Sequence, residues 1–91
     1  MEKQVHYKCT LHRDSRGQGR YREIEVVEHT DHFELLIFEG ELLRSGQSTS
    51  AQPYVKSVSF PPTRDAARAA AGEETRKSVA AGWILVQSVE R

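Results

Sequence analysis

This sequence predicts an α+β domain, an antiparallel sheet of about five strands with one helix packed on one face. Three observations carry that expectation. Residues 5–12 alternate apolar and polar, and residues 21–60 hold β-branched and aromatic residues in short runs cut by turn formers. Residues 63–81 are an alanine-rich block with a capping threonine before it and a stopping glycine after it. At 91 residues the chain has room for one modest core, so residues 1–91 are read as a single domain.

In the first strand Val5, Tyr7, Cys9 and Leu11 share one face. Arg13–Arg20, with Gly17 and Gly19, is a turn-rich connection. A second strand covers Tyr21–His29 around Ile24, Val26 and Val27, and Thr30-Asp31 turns the chain. The third strand starts at His32 or Phe33 and runs to Leu43, with Leu36, Phe38 and Leu42 on one face together with Gly40. A lone glycine in so apolar a run signals a bulge or the close approach of another backbone. After a tight turn at Arg44-Ser45-Gly46, residues 47–60 form a fourth strand interrupted, or two strands separated, at Gln52-Pro53. Pro53 lacks a ladder donor and so belongs at a bulge or a sheet edge.

Pro61-Pro62 ends the β region. Thr63 is a fitting N-cap, Asp65 suits the positive end of a helix dipole, and the helix runs to about Ala81 before stopping at Gly82. Its expected inward stripe is small: Ala67, Ala71, Thr75, Ser78 and Gly82. Such a stripe brings the helix axis close to the sheet, leaving Phe33, Leu36, Phe38, Phe60 and Trp83 to supply core bulk. Gly72 costs the helix about 1 kcal/mol relative to alanine, so packing must hold it. Trp83–Val86 closes the domain as a short strand or as a tail plugging the core.

Hydrophobic residues make up 37% and charged residues 29%, which argues against a disordered chain. No apolar run approaches the roughly 20 residues of a membrane span, and no apolar segment follows Met1 as in a secretory signal. Cys9 is the single cysteine, so no internal disulfide can form. That suits a reducing compartment, and a cytoplasmic location is expected. Net charge is zero but unevenly spread: +4 over residues 1–22, −7 over 23–43, +3 over 44–64 and zero beyond. A broad basic face for nucleic acid is thereby excluded, and any such contact must be a local patch.

The stretch Glu39-Gly40-Glu41-Leu42-Leu43-Arg44-Ser45-Gly46-Gln47 resembles the core motif of the WGR domain, which reads Trp-Gly-Arg, an aliphatic residue, Gly, two variable residues and Gly-Gln. Tyr21-Arg22-Glu23-Ile24-Glu25-Val26 looks like the aromatic-x-Glu-aliphatic strand that opens the family's sheet. Phe60, the helix and Gly82-Trp83 stand where the family has Phe, helix and Gly-Tyr. The likeness covers roughly residues 19–86, with an insertion near Ala51–Ser57. WGR domains occur in poly(ADP-ribose) polymerases, where they help hold a DNA end, and as stand-alone bacterial proteins, so the resemblance implies a binding module. The chain would be a degenerate member: Glu39 replaces the Trp, Glu41 the Arg and Leu43 the first turn glycine, while Val79, Ala80 and Ala81 replace basic residues near the helix end. A carboxylate beside a phosphate repels where a cation attracts, by about 1 kcal/mol in water and about 4 near a protein surface. DNA-end contact through Glu39-Gly40-Glu41 is therefore disfavoured.

The candidate nucleic-acid-binding residues are instead Arg13, Arg16, Arg20, Arg22 and Tyr21. Arginine offers paired donors to phosphate, glycines allow close backbone approach, and a tyrosine ring can stack on a base. Four neutralised phosphates would give a log–log salt slope of about −3.6. A solvated basic hairpin tip is the competing reading. Cys9-x-x-His12 with His29-x-x-His32 hints at zinc, but residues three apart on one strand point to opposite faces, so no metal is expected. The carboxylates Glu23, Glu25, Glu28, Glu34, Glu39 and Glu41 read as a solvated stripe without a nucleophile or phosphate loop, so neither enzyme activity nor a cofactor is expected. The partner is DNA or RNA, or alternatively another protein meeting the polarised charge. The chain is expected as a monomer or weak homodimer, away from membranes.

Overall fold

A computed structural model describes residues 4–15, 18–45 and 48–90. Their elements are β1 (Gln4–Ser15), β2 (Gln18–Glu28), β3 (Phe33–Ser45), β4 (Ser48–Ser59), α1 (Arg64–Ala80) and β5 (Ile84–Glu90). The five strands form one antiparallel sheet in the order β4-β3-β2-β1-β5. The first four make a meander. The helix then carries the chain across one face of the sheet and delivers β5 to the far edge, beside β1. The fold is α+β, with the strand number and single helix that the sequence pattern predicts. No helix among the described residues is long and apolar enough to cross a membrane.

The strands are longer than expected. Paired residues continue to Ser15↔Gln18 and Ser45↔Ser48, so most of 13–20 belongs to a ladder rather than a connection. Pro53 lies within a continuous β4, on the outermost strand, where its missing N–H is tolerated. Gly40 is not a bulge: it pairs regularly with Tyr21 on one side and Pro53 on the other. Both Gly40 and Tyr21 are buried, as when an aromatic residue shelters a cross-strand glycine.

Three register shifts interrupt the ladders, and two of them decide which side chains face the helix. One at His6 shifts the β1–β2 register, so Tyr7, Cys9 and Leu11 face the helix while Val5 pairs with Val27 on the other side. The second lies in β4, where Ile37 pairs with Ser57 and Phe38 with Val55, leaving Lys56 as the extra residue. In β3 the helix-facing set is Phe33, Leu35 and Ile37. The expected face of Leu36 and Phe38 is turned away, and both are only half-buried. Phe60, expected in the core, is 66% exposed because it follows the last paired residue of β4. The core is Tyr7, Cys9, Leu11, Ile24, Val26, Leu35, Ala67, Ala71 and Trp83. Of the closing segment only Trp83 enters it. Ile84 to Glu90 form an exposed edge strand and not a plug.

Local rules account for both helix ends. Thr63 Oγ1 accepts from Ala66 N at 3.1 Å, and Asp65 sits in the first turn. At the other end Gly82 adopts φ +101°, its N–H donates to the Val79 carbonyl at 3.1 Å, and Trp83 N–H donates to the Ser78 carbonyl at 3.0 Å. Those two bonds are a Schellman closure, and they fix where Trp83 goes. Thr63→Ala should cost about 1 kcal/mol, read as a lower urea midpoint at unchanged slope. An unaltered midpoint would show that the cap contributes nothing.

Candidate anion-binding cleft

Strand alternation brings Arg13 of β1 and Arg20 and Arg22 of β2 to the helix-facing side, beyond the end of the apolar core. With Glu39, Lys56 and Trp83 they line a cleft of about 320 Å³. Each group arrives by a separate device. Glu39 stands directly opposite Arg22 in the β2–β3 ladder. The β4 bulge turns Lys56 onto the same carboxylate. The Schellman closure swings Trp83 beneath Arg22, whose guanidinium carbon lies 4.6 Å from the ring centroid.

Arg22 is thoroughly committed. Its Nη1 donates to Ser78 Oγ at 2.6 Å and its Nη2 approaches Glu39 Oε1 at 3.4 Å, while Nε is buried without a partner among the described residues. The Ser78 hydroxyl donates to the Glu74 carbonyl at 2.8 Å, which leaves its oxygen free to accept from Arg22. Lys56 Nζ reaches Glu39 Oε2 at 2.5 Å. Burial alone would push the Glu39 carboxyl up, but Lys56 and Arg22 outweigh it and hold the group below its ordinary value. Glu39 is therefore an ionised carboxylate, 6% exposed, between two cations.

Arg13 and Arg20 are different. They stand directly opposite one another in the β1–β2 ladder, an arrangement that like charges disfavour. Glu41 opposes Arg20 on the other side, yet among the described residues no ion pair joins either arginine to a carboxylate. Arg13 Nε lies 3.9 Å from where a Cβ on Gly82 would stand, against the negative end of the helix dipole. The cleft thus has a neutralised floor, formed by Arg22, Glu39 and Lys56, and two cations at its rim.

Of the five candidate residues, Arg13, Arg20 and Arg22 come together. Arg16 lies outside the described residues. Tyr21 does not join them: alternation turns it to the opposite face, where it is buried and cannot stack on a base with the arginines. Glu39, Lys56 and Trp83 were not anticipated as site residues. Only Trp83 carried a local signal, as the residue after a C′ glycine. Nor is the acidic stripe a single solvated surface. Glu23 and Glu25 share the helix-free side with Lys8, while Glu39 is buried on the helix side. Cys9 is fully buried in the core on the helix-facing side, and His12 alternates to the other side.

These features define a small α+β domain with a basic cleft at one end of its sheet. Comparison with protein-family models, curated proteins and solved structures found nothing that matches this chain.

Proposed function

We propose that this chain is a small non-enzymatic binding module, WGR-like in its sequence pattern, that takes nucleic-acid phosphates in the cleft at Arg13, Arg20 and Arg22. The observation that carries the reading is the opposed pair Arg13 and Arg20, held side by side above an already neutralised floor. An anion bridging two forked guanidinium groups relieves their repulsion and gains charge-assisted hydrogen bonds. Arg22 covers the ring of Trp83, and Tyr21 faces away, so the cleft offers phosphate contacts and no stacking platform. Binding is then largely indifferent to base sequence.

Titration of nicked, blunt and single-stranded DNA at two salt concentrations tests this. With Arg13 and Arg20 as the exchanging cations, the log–log salt slope is expected near −1.8, shallower than the four-arginine count suggests. Arg13→Glu with Arg20→Glu should weaken binding by at least about ten-fold, two attractions of order 1 kcal/mol each becoming repulsions. Unchanged affinity in that double variant would rule the cleft out.

A second reading, an interaction module for another protein, is favoured by β5. It is an outermost strand, and Ile84, Leu85, Val86 and Val89 are 67, 46, 53 and 39% exposed. An apolar edge of that kind templates strand addition. Sedimentation at low salt and high protein concentration tests the case in which the partner is a second copy, because a strictly monomeric chain removes self-association through this edge.

A further inference from the structure

At the opposite end of β2 the chain reverses through residues 29–32, and three potential metal ligands meet there. The expectation that His29 and His32 point apart rested on strand alternation. It does not apply, because β2 ends at Glu28 and β3 begins at Phe33, so both histidines flank a turn. His29 N–H donates to the His32 carbonyl at 2.8 Å, which closes the turn and stacks the two imidazoles 4.5 Å apart at 12°. Glu34, one residue into β3, sets its carboxylate against His29 Nε2 and 3.7 Å from His32 Nε2.

We propose that His29 Nε2, His32 Nε2 and a Glu34 carboxylate oxygen form a binding site for a divalent transition metal ion of the zinc type. One ligand atom from each of the three residues lies within 4.8 Å of the other two. Ligands of a tetrahedral zinc with bonds near 2.1 Å are about 3.4 Å apart, so on binding the two imidazoles must turn out of their parallel stack and the Glu34 carboxylate must draw back from His29. Two imidazoles and one carboxylate select zinc and its transition-metal neighbours over calcium or magnesium, which prefer oxygen.

Two independent details point to a cation. First, Asp31 Oδ1 sits 2.6 Å from His32 Nδ1. An ionised carboxylate can only accept, so Nδ1 carries the proton, and in the neutral ring the lone pair is on Nε2, the atom turned towards Glu34 at 3.7 Å. A carboxylate that fixes the tautomer of a ligating histidine is the usual outer-shell arrangement of zinc sites. Secondly, His29 Nε2 is buried directly against the Glu34 carboxylate and makes no aligned hydrogen bond among the described residues, so an imidazole nitrogen and a carboxylate oxygen already face one another there. Phe60, tilted against His32 at 5.9 Å, supplies an apolar flank. The turn lies about seven residues, or roughly 23 Å, along β2 from Arg22, so this site is separate from the basic cleft.

Calorimetric titration of the purified, metal-stripped chain with zinc chloride at pH 7.5 should show saturable uptake of one equivalent. Cobalt added to the same protein should give altered visible bands at one equivalent. His29→Ala, His32→Ala and Glu34→Gln should each weaken zinc binding by at least about ten-fold, with folding checked by circular dichroism. Asp31→Asn, at an exposed position, should weaken zinc binding by about ten-fold while leaving the metal-free chain equally stable, which a purely structural role would not produce. His12→Ala should bind zinc as the parent does. No saturable zinc uptake by the unmodified chain, or uptake that survives in His29→Ala/His32→Ala, overturns the site.

Discussion

Glu39→Gln should weaken the fold and strengthen anion binding at once. In the parent chain the carboxylate joins Arg22 and Lys56 within a nearly closed space. Removing one partner of a buried ion pair leaves the other charge desolvated and uncompensated. That costs on the order of 3 kcal/mol, at the low end of the usual range because Lys56 is half exposed. A domain of this length holds roughly 5–10 kcal/mol in all, so the loss is large. The same change removes the negative charge on the cleft floor. A unit charge about 7 Å from a bound phosphate, at an effective dielectric near 20, opposes binding by about 2 kcal/mol before salt screening, so affinity should rise at least about five-fold. Acid has a defined effect as well. Because the folded-state value of Glu39 is depressed, its contribution is present above the ordinary glutamate value of 4.5 and is lost as pH falls through the folded value. The stability gap between parent and Glu39→Gln should therefore narrow below about pH 4.5. Urea unfolding at pH 7 and pH 4, with DNA titrations at pH 7, measures all three effects. Equal stability of the two proteins at pH 7 would refute the ion-pair account.

How much of this was legible in the sequence depends on how local the deciding interaction is. The helix, its Thr63 cap, the Gly82 stop and the five-strand sheet follow from patterns within a few residues, and the structure has them. Which face of each strand meets the helix does not: the bulge at His6 takes Val5 off the face of Tyr7, nothing near Lys56 announces its bulge, and in β3 both faces carry large apolar residues, so alternation alone cannot choose between Leu35/Ile37 and Leu36/Phe38. Glu39 read as a solvated acid because the cations that neutralise it come from β2 and β4, and only the ladder register brings them to it. The Arg13–Arg22 segment was half legible. Its charge was plain, and the period-2 rule alone separates Tyr21 from Arg20 and Arg22. His29 and His32 show the reverse failure, a strand rule applied to a turn.

Neighbouring positions in the middle of α1 should respond in opposite directions to added bulk. Ala71 is fully buried against the sheet, and its carbonyl accepts from Thr75 Oγ1 at 2.8 Å, which in turn meets the Tyr7 hydroxyl at 2.8 Å. Leucine there must either force Tyr7, Ile24 and Leu35 off their rotamers or lift the helix. The lift would also pull Ser78 from Arg22 and Trp83 from beneath it. Ala71→Leu is expected to cost about 3 kcal/mol, the upper end for overpacking, because no flexible side chain stands between helix and sheet to absorb the volume. Gly72 is exposed, and a Cβ added there meets nothing within 4 Å. Gly72→Ala should therefore stabilise the chain by about 1 kcal/mol, through helix propensity and a smaller unfolded ensemble. Thermal and urea unfolding of the two variants beside the parent read the contrast directly. A tolerated leucine at 71 would mean that the helix does not lie close on the sheet, and the floor beneath Arg13 and Arg20 would lose its support.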